Sequence, residues 1–138
     1  MLFSFRVKNY ISLTKGEVTS PNYPGNYPHS LDKKEQINVE SGKILRLEFT
    51  HFDVEVGGDI NTCSDDFVKI TDGDGTVLMD RCCGYSHDDP STSEYFNPPI
   101  ITSQTNLVEI FFHTGAVDLQ TGWSLSWSAV TLGRRQAA

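Results

Sequence analysis

Short alternating runs, separated by Gly, Pro, Asn and Asp, organise this chain. Over 43–50, KILRLEFT, Leu45, Leu47 and Phe49 fall on one side while Arg46 and Glu48 fall on the other. That period of two predicts a half-buried strand. It returns in 123–127, WSLSW, where Trp123, Leu125 and Trp127 alternate with Ser124 and Ser126. Residues 67–71, FVKIT, place Val68 and Ile70 together and then stop at DGDG, a hairpin-turn signal. LVEIFFH at 107–113 predicts another apolar strand, and shorter ones are expected at 16–19, 35–39, 76–79 and 99–102. No window of 12 or more residues carries a helical stripe. Many short strands between regular turns predict an all-β fold, an antiparallel β-sandwich of two packed sheets. Trp123, Trp127 and one of Phe111 or Phe112 are expected in its core.

One segment is too regular for an ordinary loop. SPNYPGNYP at 20–28 holds two Asn-Tyr-Pro steps with Gly25 between them. Proline fixes its own φ and pushes the preceding residue toward extended geometry. Tyr23 and Tyr27 are therefore expected in an extended, turn-punctuated stretch that cannot be helix.

At 138 residues and 38% hydrophobic, the chain has material for one globular domain with a single core. No apolar run approaches a membrane span. The start, MLFSFRVKNYISLTKG, is broken by Arg6 and Lys8 and makes a poor signal peptide, so a secreted form implies a leader already removed. GRRQAA at the other end reads as a polar tail. The net charge of −7 argues against a nucleic-acid partner, since phosphate binding needs clustered bases. Asp53, Glu55, Asp59, Asp65, Asp66, Asp72 and Asp74 crowd into one stretch whose single base is Lys69.

The cysteines are Cys63, Cys82 and Cys83. No Cys-x-x-Cys pair occurs, and His29, His51, His87 and His113 lack zinc spacing. One disulfide from Cys63 to either Cys82 or Cys83 would close a loop worth about 3 kcal/mol and implies an oxidising compartment. Asn61-Thr62-Cys63 is not an ordinary glycosylation sequon.

GEVTSPNYPGNYP, FTHFDVE, CSDDFVKITDG, CCG, LVEIFFHTG and TGWSLSW occur in the order and approximate spacing of a CUB domain, which the chain resembles over about 16–130. The resemblance implies an extracellular β-sandwich domain at 16–130, an N-terminal extension at 1–15 and a tail or linker at 131–138. It also implies a Cys63–Cys83 bridge, with Cys82 left over as an inert thiol or a handle for a homodimer. The family's first bridge is missing, because KKEQI at 33–37 stands where a cysteine pattern is expected. In that respect, and in FTHFDVE, the chain is similar to the N-terminal CUB domains of complement-type serine proteases.

Many CUB domains carry calcium on one Glu and two Asp. By motif position the ligands implied here are Glu55 and Asp66. The third place reads Thr114-Gly115 instead of an Asp step, and Asp118 is its substitute. Calcium takes six to eight oxygens, and carboxylates at strand ends suit it. With one acid displaced, affinity is expected toward the millimolar range of extracellular modules.

The expected function is therefore a secreted protein-interaction module that presents Asp53, Glu55, Tyr23 and His51 to a basic partner side chain, with calcium as cofactor. The alternatives are a matrix or glycan-binding, spermadhesin-like protein, or an accessory region of a secreted protease. No Gly-x-Ser-x-Gly and no His-Glu-x-x-His is present, so no catalytic centre is expected.

Overall fold

The computed structural model describes residues 14–116 and 120–131, together with the backbone of 5–9. Ten strands form: β1 (Phe5–Asn9), β2 (Lys15–Thr19), β3 (Asp32–Asn38), β4 (Lys43–Val54), β5 (Phe67–Asp72), β6 (Val77–Cys82), β7 (Gly84–Tyr85), β8 (Ile101–Thr102), β9 (Leu107–His113) and β10 (Gly122–Thr131). One sheet runs β1-β3-β9-β5-β6 and the other β2-β10-β4-β7, with β8 added beside β4. All strand pairings are antiparallel except β1 with β3, so β1 is a parallel edge strand. Among the described residues there is no helix.

The alternation read from the sequence sets the inner faces. Val108, Ile110 and Phe112 of β9 point inward, as do Val68 and Ile70 of β5, against Trp123, Leu125 and Trp127 of β10. An edge-to-face series, Tyr27–Phe112–Trp123–Phe49–Phe52, ties the two sheets with ring centroids 4.9–6.0 Å apart. Phe112 is the core member of the pair considered above. Phe111 lies outside, half-buried beneath Lys34. The DGDG turn closes the β5–β6 hairpin, with Asp72 and Thr76 bonded across it and Gly75 at φ 93°.

β4 continues four residues past its predicted end, and the reason is a β-bulge. Ser124 pairs with His51 and Leu125 with Phe49, so Thr50 has no opposite number. The buried set shifts parity there, from Leu45, Leu47 and Phe49 to Phe52 and Val54. A strict period of two therefore ends at Thr50, although the strand does not. The extra residue takes His51, Asp53 and Glu55 off the apolar face together, with Asp53 staying buried, which is a usual consequence of a bulge.

Cys63 and Cys83 are bonded, with Cα atoms 5.6 Å apart and 20 residues between them in sequence. The bridge anchors the loop leading into β5 to the start of β7. Cys82 is a free, half-buried thiol. The segment around Tyr23 is a turn with a cis Tyr23–Pro24 bond, while Tyr27 is buried.

Candidate functional site

Four segments converge at one end of the sandwich: the last residues of β4, the loop into β5, the 20–28 segment, and the residues flanking the β9–β10 connection. Tyr27 joins them. Its hydroxyl donates to Asp66 Oδ2 at 2.7 Å and accepts the Glu55 backbone N–H at 3.0 Å. Asp66 is fully buried, and its other oxygen, Oδ1, accepts the Gly115 N–H at 2.7 Å. Both of these donors to the carboxylate are neutral.

Gly115 occupies the step where a third acid was sought, and its backbone rather than a carboxylate meets Asp66. A Cβ there would stand 3.4 Å from Asp66 Oδ1 and 3.1 Å from Asp65 Cγ, so the chain closes tightly over both acids. Glu55 is half-buried and accepts the Gln120 side-chain amide at 3.3 Å. Asp118 lies outside the described residues. Among the described residues no three His, Cys, Asp or Glu side chains group as metal ligands. Carboxylate oxygens such as those of Glu55 and Asp66 suit a hard cation better than a transition metal, and the Tyr27 hydroxyl ties the Glu55 backbone to the Asp66 side chain.

Beside this end runs a second linked set. Asp53 Oδ2 accepts the Thr121 hydroxyl at 2.7 Å and the Thr121 N–H at 3.1 Å, and His51 Nε2 lies 2.8 Å from the same hydroxyl oxygen. A carboxylate only accepts, so the Thr121 proton belongs to Asp53 and His51 Nε2–H donates to Thr121. In the order Asp–Thr–His the imidazole donates to the hydroxyl and does not accept its proton, the reverse of a hydroxyl–imidazole nucleophile pair. Asp53 Oδ1 is buried with no hydrogen-bond partner. Tyr23 lies against His51 at 5.4 Å between ring centroids, and His51 stacks on His87 at 5.9 Å with planes 7° apart. Tyr85 flanks His87 at 6.3 Å, and its hydroxyl receives the Val56 N–H at 3.4 Å. Burial, with the carboxylates of Glu55, Glu94 and Asp53 adding to it, pushes the Tyr85 hydroxyl up to about 12.

Of the residues picked out from sequence, Tyr23 and His51 meet as rings, His51 and Asp53 meet through Thr121, and Glu55 and Asp66 meet through Tyr27. Tyr27 belongs to the Asn-Tyr-Pro run but had no assigned role. Thr121 and Tyr85 gave no signal, and His87 stood out only as a histidine without zinc spacing, because each enters the site through tertiary packing.

These features define a small all-β module whose oxygen-lined acidic end is held by a tyrosine and a disulfide. Residues 8–127 match the CUB domain family, and the chain belongs to it. It is 30% identical over 121 residues to cubilin of Homo sapiens, covering 86% of this chain and 3% of that protein. It is also 30% identical over 122 residues to mannan-binding lectin serine protease 1 of Mus musculus, covering 88% of this chain and 16% of the protease. The chain thus spans only a small part of either relative. Among solved structures, the MASP-1 CUB2 domain bound to Ca2+ superposes with a TM-score of 0.71 at 28% identity, covering 88% of this chain and 96% of that one.

Proposed function

We propose that this domain is an extracellular protein-interaction module that binds calcium at Glu55 and Asp66, with Asp118 as the third ligand, and docks a basic side chain of a partner protein on the adjoining rim of Asp53, Glu55, Tyr23 and His51. The observation that carries this reading is the Tyr27 hydroxyl. It spends its hydrogen bonds on Asp66 and the Glu55 backbone, and so fixes two carboxylate-bearing segments in one place. A buried carboxylate held by neutral donors suits a cation, and among the described residues no Lys, Arg or His pairs with Asp66. The calcium carried by the similar MASP-1 CUB2 domain supports the same assignment. Calcium would supply a concentrated positive charge that completes and stiffens the loops.

On the rim, acids beside aromatic rings suit an ammonium or guanidinium group, through charge-assisted hydrogen bonds and cation–π contact. Such docking weakens with salt and with a chelator.

Calcium titration followed by thermal melting tests the metal. For a dissociation constant near 1 mM, about 10 mM calcium stabilises the fold by about 1.4 kcal/mol. Glu55→Gln and Asp66→Asn lower or abolish that gain. Melting unchanged by calcium up to 10 mM overturns the assignment.

A further inference from the structure

We propose that the stacked His51–His87 pair makes the docking rim pH-gated: it accepts a basic partner side chain when both imidazoles are neutral and releases it when they are protonated. This inference rests on the docking role above and adds its regulation.

The geometry sets the protonation states. Thr121 gives its proton to Asp53, so His51 donates through Nε2 and, in the neutral ring, Nδ1 carries the lone pair. Acid therefore adds its proton at Nδ1 without breaking the Asp53–Thr121–His51 series. The His87 ring lies parallel at 5.9 Å, so the second proton arrives next to the first charge.

Asp53 faces the pair from β4, through Thr121. From β7 comes Tyr85, and from the segment after it Asp88, with Oδ1 3.9 Å from His87 Nε2. From the 20–28 segment comes Tyr23. Beyond β10, Glu17 is occupied by Ser124. Among the described residues no Lys or Arg is paired with either imidazole, and the groups around them are acids and aromatic rings.

Histidine changes charge between about pH 5 and 8. Two protons would place two positive charges in the row of rings on which a cationic side chain is to rest, where repulsion replaces cation–π attraction. By linkage, a bound cation must in turn favour the neutral imidazoles, so the two events exclude each other.

The test uses fluorescent decalysine as the probe, with the chain in about 2 mM calcium and at constant ionic strength across the pH series. Each protein is judged on its own ratio of affinities at pH 7.5 and 5.5. The wild type is expected to bind more than tenfold more weakly at pH 5.5, with a limiting slope near two protons. His87→Gln reduces the slope to one, and the His51→Gln/His87→Gln double variant flattens it. Binding that changes less than threefold in the wild type, or an unchanged slope in His87→Gln, overturns the gate while leaving the docking role intact. No binding at any pH overturns both.

Discussion

Tyr27 and Asp66, 39 residues apart in sequence, share a buried hydrogen bond of 2.7 Å, and this bond joins the proline-rich segment to the acidic loop. The Tyr27 ring packs edge-on against Phe112 at 4.9 Å, so the hydroxyl cannot retreat to find another partner.

Tyr27→Phe keeps the ring and removes one donor and one acceptor. A buried carboxylate oxygen and the Glu55 N–H each lose a partner, and an unsatisfied buried group costs about 1–3 kcal/mol. The variant is expected to unfold at lower urea with an unchanged m-value and to gain less stability from calcium. A urea midpoint equal to that of the wild type, with and without calcium, would show the bond to be dispensable.

Much of this arrangement was legible before any coordinates, and the reasons differ by residue. The inner faces of β9 and β10 follow from alternation, because one face of each strand must be buried. Cys63–Cys83 followed from motif resemblance, which carries spacing that single-residue chemistry does not. The length of β4 was not legible, because Thr50 breaks the parity on which the reading depends. Nor was the role of Thr121, a residue 68 positions from Asp53 that reaches it only because β10 pairs with β4. The half of the third-ligand question that rests on Gly115 is answered by its N–H on Asp66, while Asp118 lies outside the described residues.

Asp72 provides a contrast within the same acidic stretch. It is buried, and it accepts the Gly73 N–H at 2.8 Å, the Gln104 N–H at 2.6 Å and the Thr105 hydroxyl at 2.6 Å. Its oxygens are engaged in joining the β5–β6 turn to the loop before β9. Asp72→Ala is expected to cost more than about 2 kcal/mol, since it orphans several donors at once. The calcium-induced shift in melting should be retained. Denaturation with and without calcium checks both, and loss of the calcium shift would place Asp72 in the metal's support.

Cys82 is next to the bridge yet poorly reactive. Burial first, and the nearby Asp80 charge second, push its thiol from 9.0 up to about 11. The thiolate is the nucleophile, so a rise of that size makes labelling roughly a hundredfold slower than for an unshifted thiol. Iodoacetamide should therefore modify the native protein slowly at pH 7.5 and faster as the pH approaches 11, and urea should abolish the protection. Fast labelling of the native chain, or a disulfide-linked dimer through Cys82, would contradict this.

Tyr85 sets an alkaline limit on the same end of the molecule. Its hydroxyl titrates near 10.0 when unfolded and at about 12 in the fold, chiefly because burial disfavours the phenolate. The native state therefore holds its proton where the unfolded state has released it. The stabilising contribution is complete below pH 10 and is lost as the pH rises toward 12. Urea midpoints measured from pH 8 to 12 should fall across the upper half of that range. Tyr85→Phe removes the titrating group and leaves the ring beside His87, so its curve should start lower, for want of the acceptor to the Val56 N–H, and slope less steeply. Parallel curves for the two proteins would mean that another group governs alkaline unfolding.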